Sequence, residues 1–208
     1  MQSSFSRLPL GLCLASCLLL STQAMAQTSV ASPAPTTALA SDSVYQVNAT
    51  LTDQNGRAFK LREHLGKAVL ASMFYTSCKF VCPMLIDTMA LTRQGLTPEE
   101  RAQIDMLLIS FDPQRDDVKK LKSVALSREV DSSPWTLART DVSSSRKIAA
   151  TLGIQYRLLS DGEFNHTTVL VLLDRDGRVV GRTQKMGAAD PAFIKLVKQT
   201  LGTKASGS

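Results

Sequence analysis

Apolar positions run along this chain in two patterns, and their alternation predicts a mixed α/β domain. Ala68-Val69-Leu70-Ala71-Ser72-Met73-Phe74-Tyr75 and Met106 to Phe111 are nearly continuous apolar stretches, as expected of strands covered on both faces. Elsewhere the spacing changes to the three-and-four step of a helix. Leu85, Ile86, Met89 and Ala90 follow Pro83, which suits a first helical turn. Val118, Leu121, Val124 and Ala125 share one side of the segment from Asp116 to Val130, and Ser143 to Leu152 stops at Gly153. Shorter β-prone pieces surround these: Tyr45 to Thr52 and Arg57 to Leu61 about an Asn55-Gly56 turn, then Trp135 to Ala138. His166 to Leu173 forms a longer run, turned by Asp176-Gly177 into Arg178 to Arg182, and Asp190 to Leu201 closes the pattern as a helix.

Strands separated by helices, followed by a hairpin and a last helix, make an α/β sandwich around a mixed sheet. The order β-α-β-α, then β-β-α, fits a thioredoxin-like sheet flanked by helices, extended by an N-terminal hairpin. The 208 residues, 44% hydrophobic and 20% charged, suffice for one such domain and exclude a disordered or multi-span membrane chain.

The flanks read differently. Arg7 precedes an apolar run from Leu8 to Leu20, and Ala24-Met25-Ala26 has the small-x-small form of a cleavage site. The run is short for a bilayer span, so residues 1–26 are expected to be a cleaved signal peptide and the protein periplasmic. An uncleaved anchor, or lipid attachment at Cys17 in Leu14-Ala15-Ser16-Cys17, is the competing reading of the same stretch. Residues 27–43, rich in Ala, Ser, Thr and Pro, read as a flexible leader, 44–201 as the domain and 202–208 as a flexible tail. The net charge of +6 falls by one with Arg7. The basic residues lie among acids with few aromatics, which argues against nucleic-acid binding.

Cleavage leaves Cys78 and Cys82 as the remaining cysteines. They lie four residues apart, where a buried strand gives way to a helix, the edge of an α/β sheet at which sites form. The helix N-terminus favours thiolate, the form that binds soft metals and attacks disulfides. A purely structural bridge is a weak alternative, because so small a loop yields little entropy. Of the two histidines, His64 in Arg62-Glu63-His64-Leu65 reads as a surface residue of a polar turn. His166, at the head of a central strand, is placed beside the cysteine loop. Two thiolates and an imidazole suit one copper ion, Cu(I) or Cu(II); structural zinc would want a fourth ligand. Met73, Met84 and Met186 carry thioethers, of the kind that usually fill a core.

Thr76-Ser77-Cys78-x-x-x-Cys82-Pro83, Asp112-Pro113 and His166 before a strand and an Asp-Gly turn resemble the Sco/SenC family. The resemblance implies a thioredoxin-like fold and copper held by Cys78, Cys82 and His166. It also implies an exported chaperone, expected to be monomeric, that loads or prepares the copper site of cytochrome c oxidase, with an oxidase subunit as acceptor and a thiol reductant protein as second partner. Asp112 matches a family Asp-Pro near the site and also reads as a strand-ending turn. Asn165 and Lys79 stand where many family members have Asp and Pro. Lys79 would favour the thiolates, whereas the lost acid changes how His166 is oriented.

The alternative is a periplasmic thiol–disulfide oxidoreductase that cycles Cys78 and Cys82 as its catalytic pair without metal. Against it stand the Cys-x-x-x-Cys spacing and His166 where thioredoxins carry a cis-proline. A peroxidase motif fails, since Tyr75 and Ala71 occupy its Thr/Ser and Pro positions. A pure binding module leaves the thiol pair unexplained.

Overall fold

The computed structural model describes residues 39–202, so the expected signal peptide, most of the expected leader, Cys13, Cys17 and all but the first residue of the expected tail lie outside the described residues. Nine strands and five helices follow one another: β1 (Thr50–Asp53), β2 (Ala58–Lys60), β3 (Ala68–Phe74), α1 (Val81–Gln94), α2 (Pro98–Arg101), β4 (Ile104–Ser110), α3 (Val118–Ser127), β5 (Trp135–Arg139), α4 (Val142–Leu152), β6 (Tyr156–Leu158), β7 (Phe164–His166), β8 (Leu170–Leu173), β9 (Val179–Thr183) and α5 (Pro191–Gly202). Seven strands form one sheet in the order β2-β1-β5-β4-β3-β8-β9, while β6 and β7 pair apart from it.

Every residue of β3 is buried, as a continuous apolar run predicts. It pairs in parallel with β4 along its whole length, Ala68 opposite Ile104 through Phe74 opposite Ser110, and antiparallel with β8 on its other side. The units β3-α1-β4 and β8-β9-α5 therefore share four adjacent strands in the expected thioredoxin-like order, and the β1-β2 hairpin caps the far edge. The parallel strands β3, β4 and β5 all end at one edge, where Tyr75, Phe111 and Thr140 follow them. Ser110 and Phe111 lie across from the start of the cysteine loop, with the Phe111 N–H donating to the Phe74 carbonyl.

Four expectations change. Tyr45 lies in a 3-10 turn, Val44–Gln46, instead of a strand, because the Ser43 hydroxyl accepts the Tyr45 N–H. Ser43, read as leader, is buried and donates to the Asp176 carbonyl at 2.6 Å. Helix α3 starts at Val118 because Asp117 caps it, its side chain accepting the Lys120 N–H. The run from His166 to Leu173 is two strands: the Thr167 N–H bonds back to the Gln155 carbonyl, extending the β6-β7 hairpin, before the chain joins the main sheet at Leu170. Gly177 turns β8 into β9 at φ +80°, where a Cβ would stand 2.5 Å from the Tyr45 ring.

Candidate metal centre

Cys78 lies in the loop after β3 and Cys82 in the first turn of α1, where backbone N–H groups have no helical partners. The Cys82 N–H donates to the Cys78 sulfur at 3.4 Å. Cys82 is buried, Cys78 is half-buried, and both are free thiols. The hydrogen bond between the two cysteine side chains is the largest influence on both groups. It holds Cys78 well below the ordinary thiol range and pushes Cys82 above it. Burial opposes the first shift, while His166 and the N–H groups of Cys82 and Phe80 add to it.

The cysteine loop is tied down by a residue that sequence reasoning missed. Asp116 is 1% exposed. Its carboxylate accepts the Thr76 N–H at 3.0 Å, the Thr76 hydroxyl, and the Ser110 hydroxyl at 2.6 Å. A buried carboxylate is tolerated because such bonds replace its water. Sequence reasoning placed it only at the start of the helix expected from Asp116 to Val130.

His166 ends β7, opposite Tyr156 of β6. This corrects its expected place at the head of a central strand; β8 begins four residues later. The hairpin leans on an aromatic cluster centred on Phe111, which is stacked on Tyr156 at 4.8 Å and lies 5.1 Å from the His166 ring. The Tyr75 ring meets His166 edge-on at 6.0 Å. The His166 Nδ1 is 3.3 Å from the Thr167 carbonyl oxygen.

The two sulfurs and an imidazole nitrogen of His166 all lie within 4.8 Å of one another. Three donors placed around one ion at ~2.0–2.3 Å stand ~4 Å apart, so closing on one ion takes no more than about 1 Å. The set S, S, N is soft and matches copper better than a hard cation. The three residues singled out from sequence are therefore brought together, from the two ends of a segment 89 residues long.

The other expected positions lie elsewhere. Asp112 is buried, lies two residues beyond β4, and pairs with Arg115. His64 is not a surface residue: it is 8% exposed, and its Nδ1 lies 2.9 Å from Asp105 Oδ2. It precedes β3, at the sheet edge opposite the cysteine loop. Met73 is core, Met186 packs against the core, and Met84 is exposed on α1. Lys79, Phe80 and Asn165 are exposed, Phe80 at 79%. No helix of the described residues is long and apolar enough to cross a membrane.

The chain is similar to known proteins. A Bacillus subtilis protein described as a SCO1 protein homolog is 31% identical over 88 residues, 41% of this chain and 44% of the relative, so the alignment spans less than half of that protein. The structure of Bradyrhizobium japonicum ScoI with copper bound superposes with a TM-score of 0.61 at 24% identity, covering 73% of this chain and 96% of that one. A structure of BsSco, described as having a disulfide switch and as a member of the Sco family of cytochrome c oxidase assembly proteins, gives a TM-score of 0.62 at 21% identity, covering 74% and 92%. These likenesses establish the thioredoxin-like fold. The SCO1/SenC family profile matches residues 39–201, and the chain belongs to that family.

Proposed function

We propose that this protein is an exported, periplasmic copper carrier that holds one copper ion between Cys78, Cys82 and His166 and passes it to an acceptor protein. The observation that carries this reading is the convergence of two sulfurs and one imidazole within 4.8 Å. The copper-bound relative and the oxidase-assembly family of BsSco support a copper subunit of a respiratory oxidase as the acceptor; the protein is expected to reach it as a monomer.

Copper is the cargo, and the chain's residues are arranged to take and release it. Cys78 is the accessible thiolate, able to make the first bond at the mouth of the site. Cys82 yields its proton as the second sulfur bonds, so binding weakens as pH falls. His166 closes the third side from a separate hairpin. A site with three protein donors leaves room for a donor from the acceptor, and ligands can exchange one at a time. Oxidation of the pair to a disulfide removes both sulfurs from binding, so a thiol reductant protein is the expected second partner.

The free pair, one sulfur accessible and the other buried beside it, also favours a second reading, thiol–disulfide exchange without metal. Copper titration of the reduced protein beside Cys78→Ala and His166→Ala distinguishes the two. The expected result is one Cu(II) per chain with a strong sulfur-to-copper absorption, lost in Cys78→Ala and shifted in His166→Ala. If His166→Ala matched the wild type, the three-donor assignment would be wrong. Reduced protein that ignored copper but turned over disulfides quickly would establish the oxidoreductase reading.

A further inference from the structure

The His166 hairpin has little to hold it on its own account. Strands β6 and β7 are three residues each and pair only with one another, and a lone two-stranded hairpin is marginally stable in water. Beyond its packing on the Phe111 aromatic cluster, the position of the imidazole depends on what fastens the turn at Leu159 to Glu163. Two side chains from the main sheet edge do so.

Arg115 is the better placed of them. Its Nε pairs with the Asp112 carboxylate. Its Nη1 donates to the Gly162 carbonyl at 2.7 Å, and its guanidinium carbon lies 5.2 Å from the centre of the Phe164 ring. Asp112 is itself fixed just beyond the end of β4: its N–H donates to Ser110 Oγ at 3.0 Å, and its carbonyl accepts the N–H groups of Arg115 and Asp116. Rigid strand, buried carboxylate, guanidinium and hairpin turn thus form a continuous bracket. The other fastener is Tyr75, whose hydroxyl donates to Glu163 Oε2 at 2.6 Å. A planar guanidinium meets a carboxylate and a carbonyl at once through donors in fixed directions, which an ammonium cannot reproduce.

We infer that Arg115, bracketed by Asp112, is the positioning residue that holds the β6-β7 hairpin, and with it His166, over the two cysteine sulfurs. It touches neither sulfur nor imidazole and acts through the turn. Asp112 thereby gains a role one step removed from the site: it orients the arginine. The copper arm of the test below rests on the copper reading proposed above; the hydrogen-exchange arm does not.

The experiment compares wild type, Arg115→Gln and Arg115→Lys, with Tyr75→Phe as a variant that loosens the same turn from its other side. In the metal-free protein, amide exchange at residues 156–166 should quicken at least tenfold in Arg115→Gln and less in Arg115→Lys, while β3 and β4 keep their protection. With Cu(II) added, Arg115→Gln should lose the nitrogen signature of His166 in electron paramagnetic resonance and release the ion about 10–100-fold faster, the usual scale for residues that orient a ligand. Unchanged hairpin exchange would overturn the inference, and so would faster exchange with the nitrogen signature intact. If Arg115→Gln does not fold, Arg115→Lys and Tyr75→Phe decide by the same criteria. A wild type that binds no copper sinks the copper reading, while hairpin exchange still decides what Arg115 does.

Discussion

Cys78 and Cys82 are four residues apart yet differ in exposure and in proton affinity. Alkylation measures the difference. An ordinary thiol loses about tenfold in rate for each pH unit below its pKa. Cys78, held low chiefly by the Cys82 side chain, should keep its rate from about pH 8 to pH 5. In Cys82→Ala the main cause is gone, and the rate should fall with pH in the ordinary way; a flat profile in that variant would refute the assigned cause. At this scale the donor set was legible, because cysteine and histidine are scarce here, four and two in the chain, and their chemistry is narrow. Asp116 and His64 were not. Asp116 bonds Thr76 from 40 residues away and His64 bonds Asp105 from 41, so no local pattern announced either as buried.

Among the elements, the longer helices and strands followed from periodicity and capping; the short helix α2 and the hairpin that carries His166 did not. The run from His166 to Leu173 has no Gly or Pro to mark a break. The break comes from Thr167 bonding back to Gln155 and from β3 accepting only the later part of the run. Gly153 shows a stop that sequence does reveal. It ends α4 at φ +68°, and the following Ile154 N–H reaches the Ala149 carbonyl. Gly153→Ala should cost about 1 kcal/mol, read as a lower urea midpoint with an unchanged slope. No loss of stability would mean that the left-handed conformation is not held by the fold.

Across the whole molecule the two ends of the sheet have separate tasks. One edge gathers the sulfurs and the imidazole; the opposite edge is closed by His64, Asp105 and Lys67, with Lys67 Nζ 3.1 Å from the carboxylate. Burial alone raises the Asp105 carboxyl, but hydrogen bonds from His64 and Lys67 outweigh it and leave the group below its ordinary range. A carboxyl lowered by folding stabilises the fold in full above its unfolded pKa, ~3.9, and loses that contribution as pH falls through its folded value. Asp105→Asn should therefore melt lower than wild type at pH 7, with the gap narrowing below about pH 4. A gap that held constant into acid would show that the charge of Asp105 contributes nothing. The copper behaviour of that variant should match wild type, because the two edges share no ligand.

The depth of Cys82 sets how the protein meets oxidants. Peroxide arriving from solvent reaches Cys78 first and converts its thiolate to a sulfenic acid. Cys82 stands next to that sulfur, so its thiol can displace water and close the bridge before a second oxygen is added. The damage then stops at a rung that any dithiol can reverse, whereas a solitary exposed sulfur would climb on to the irreversible acids.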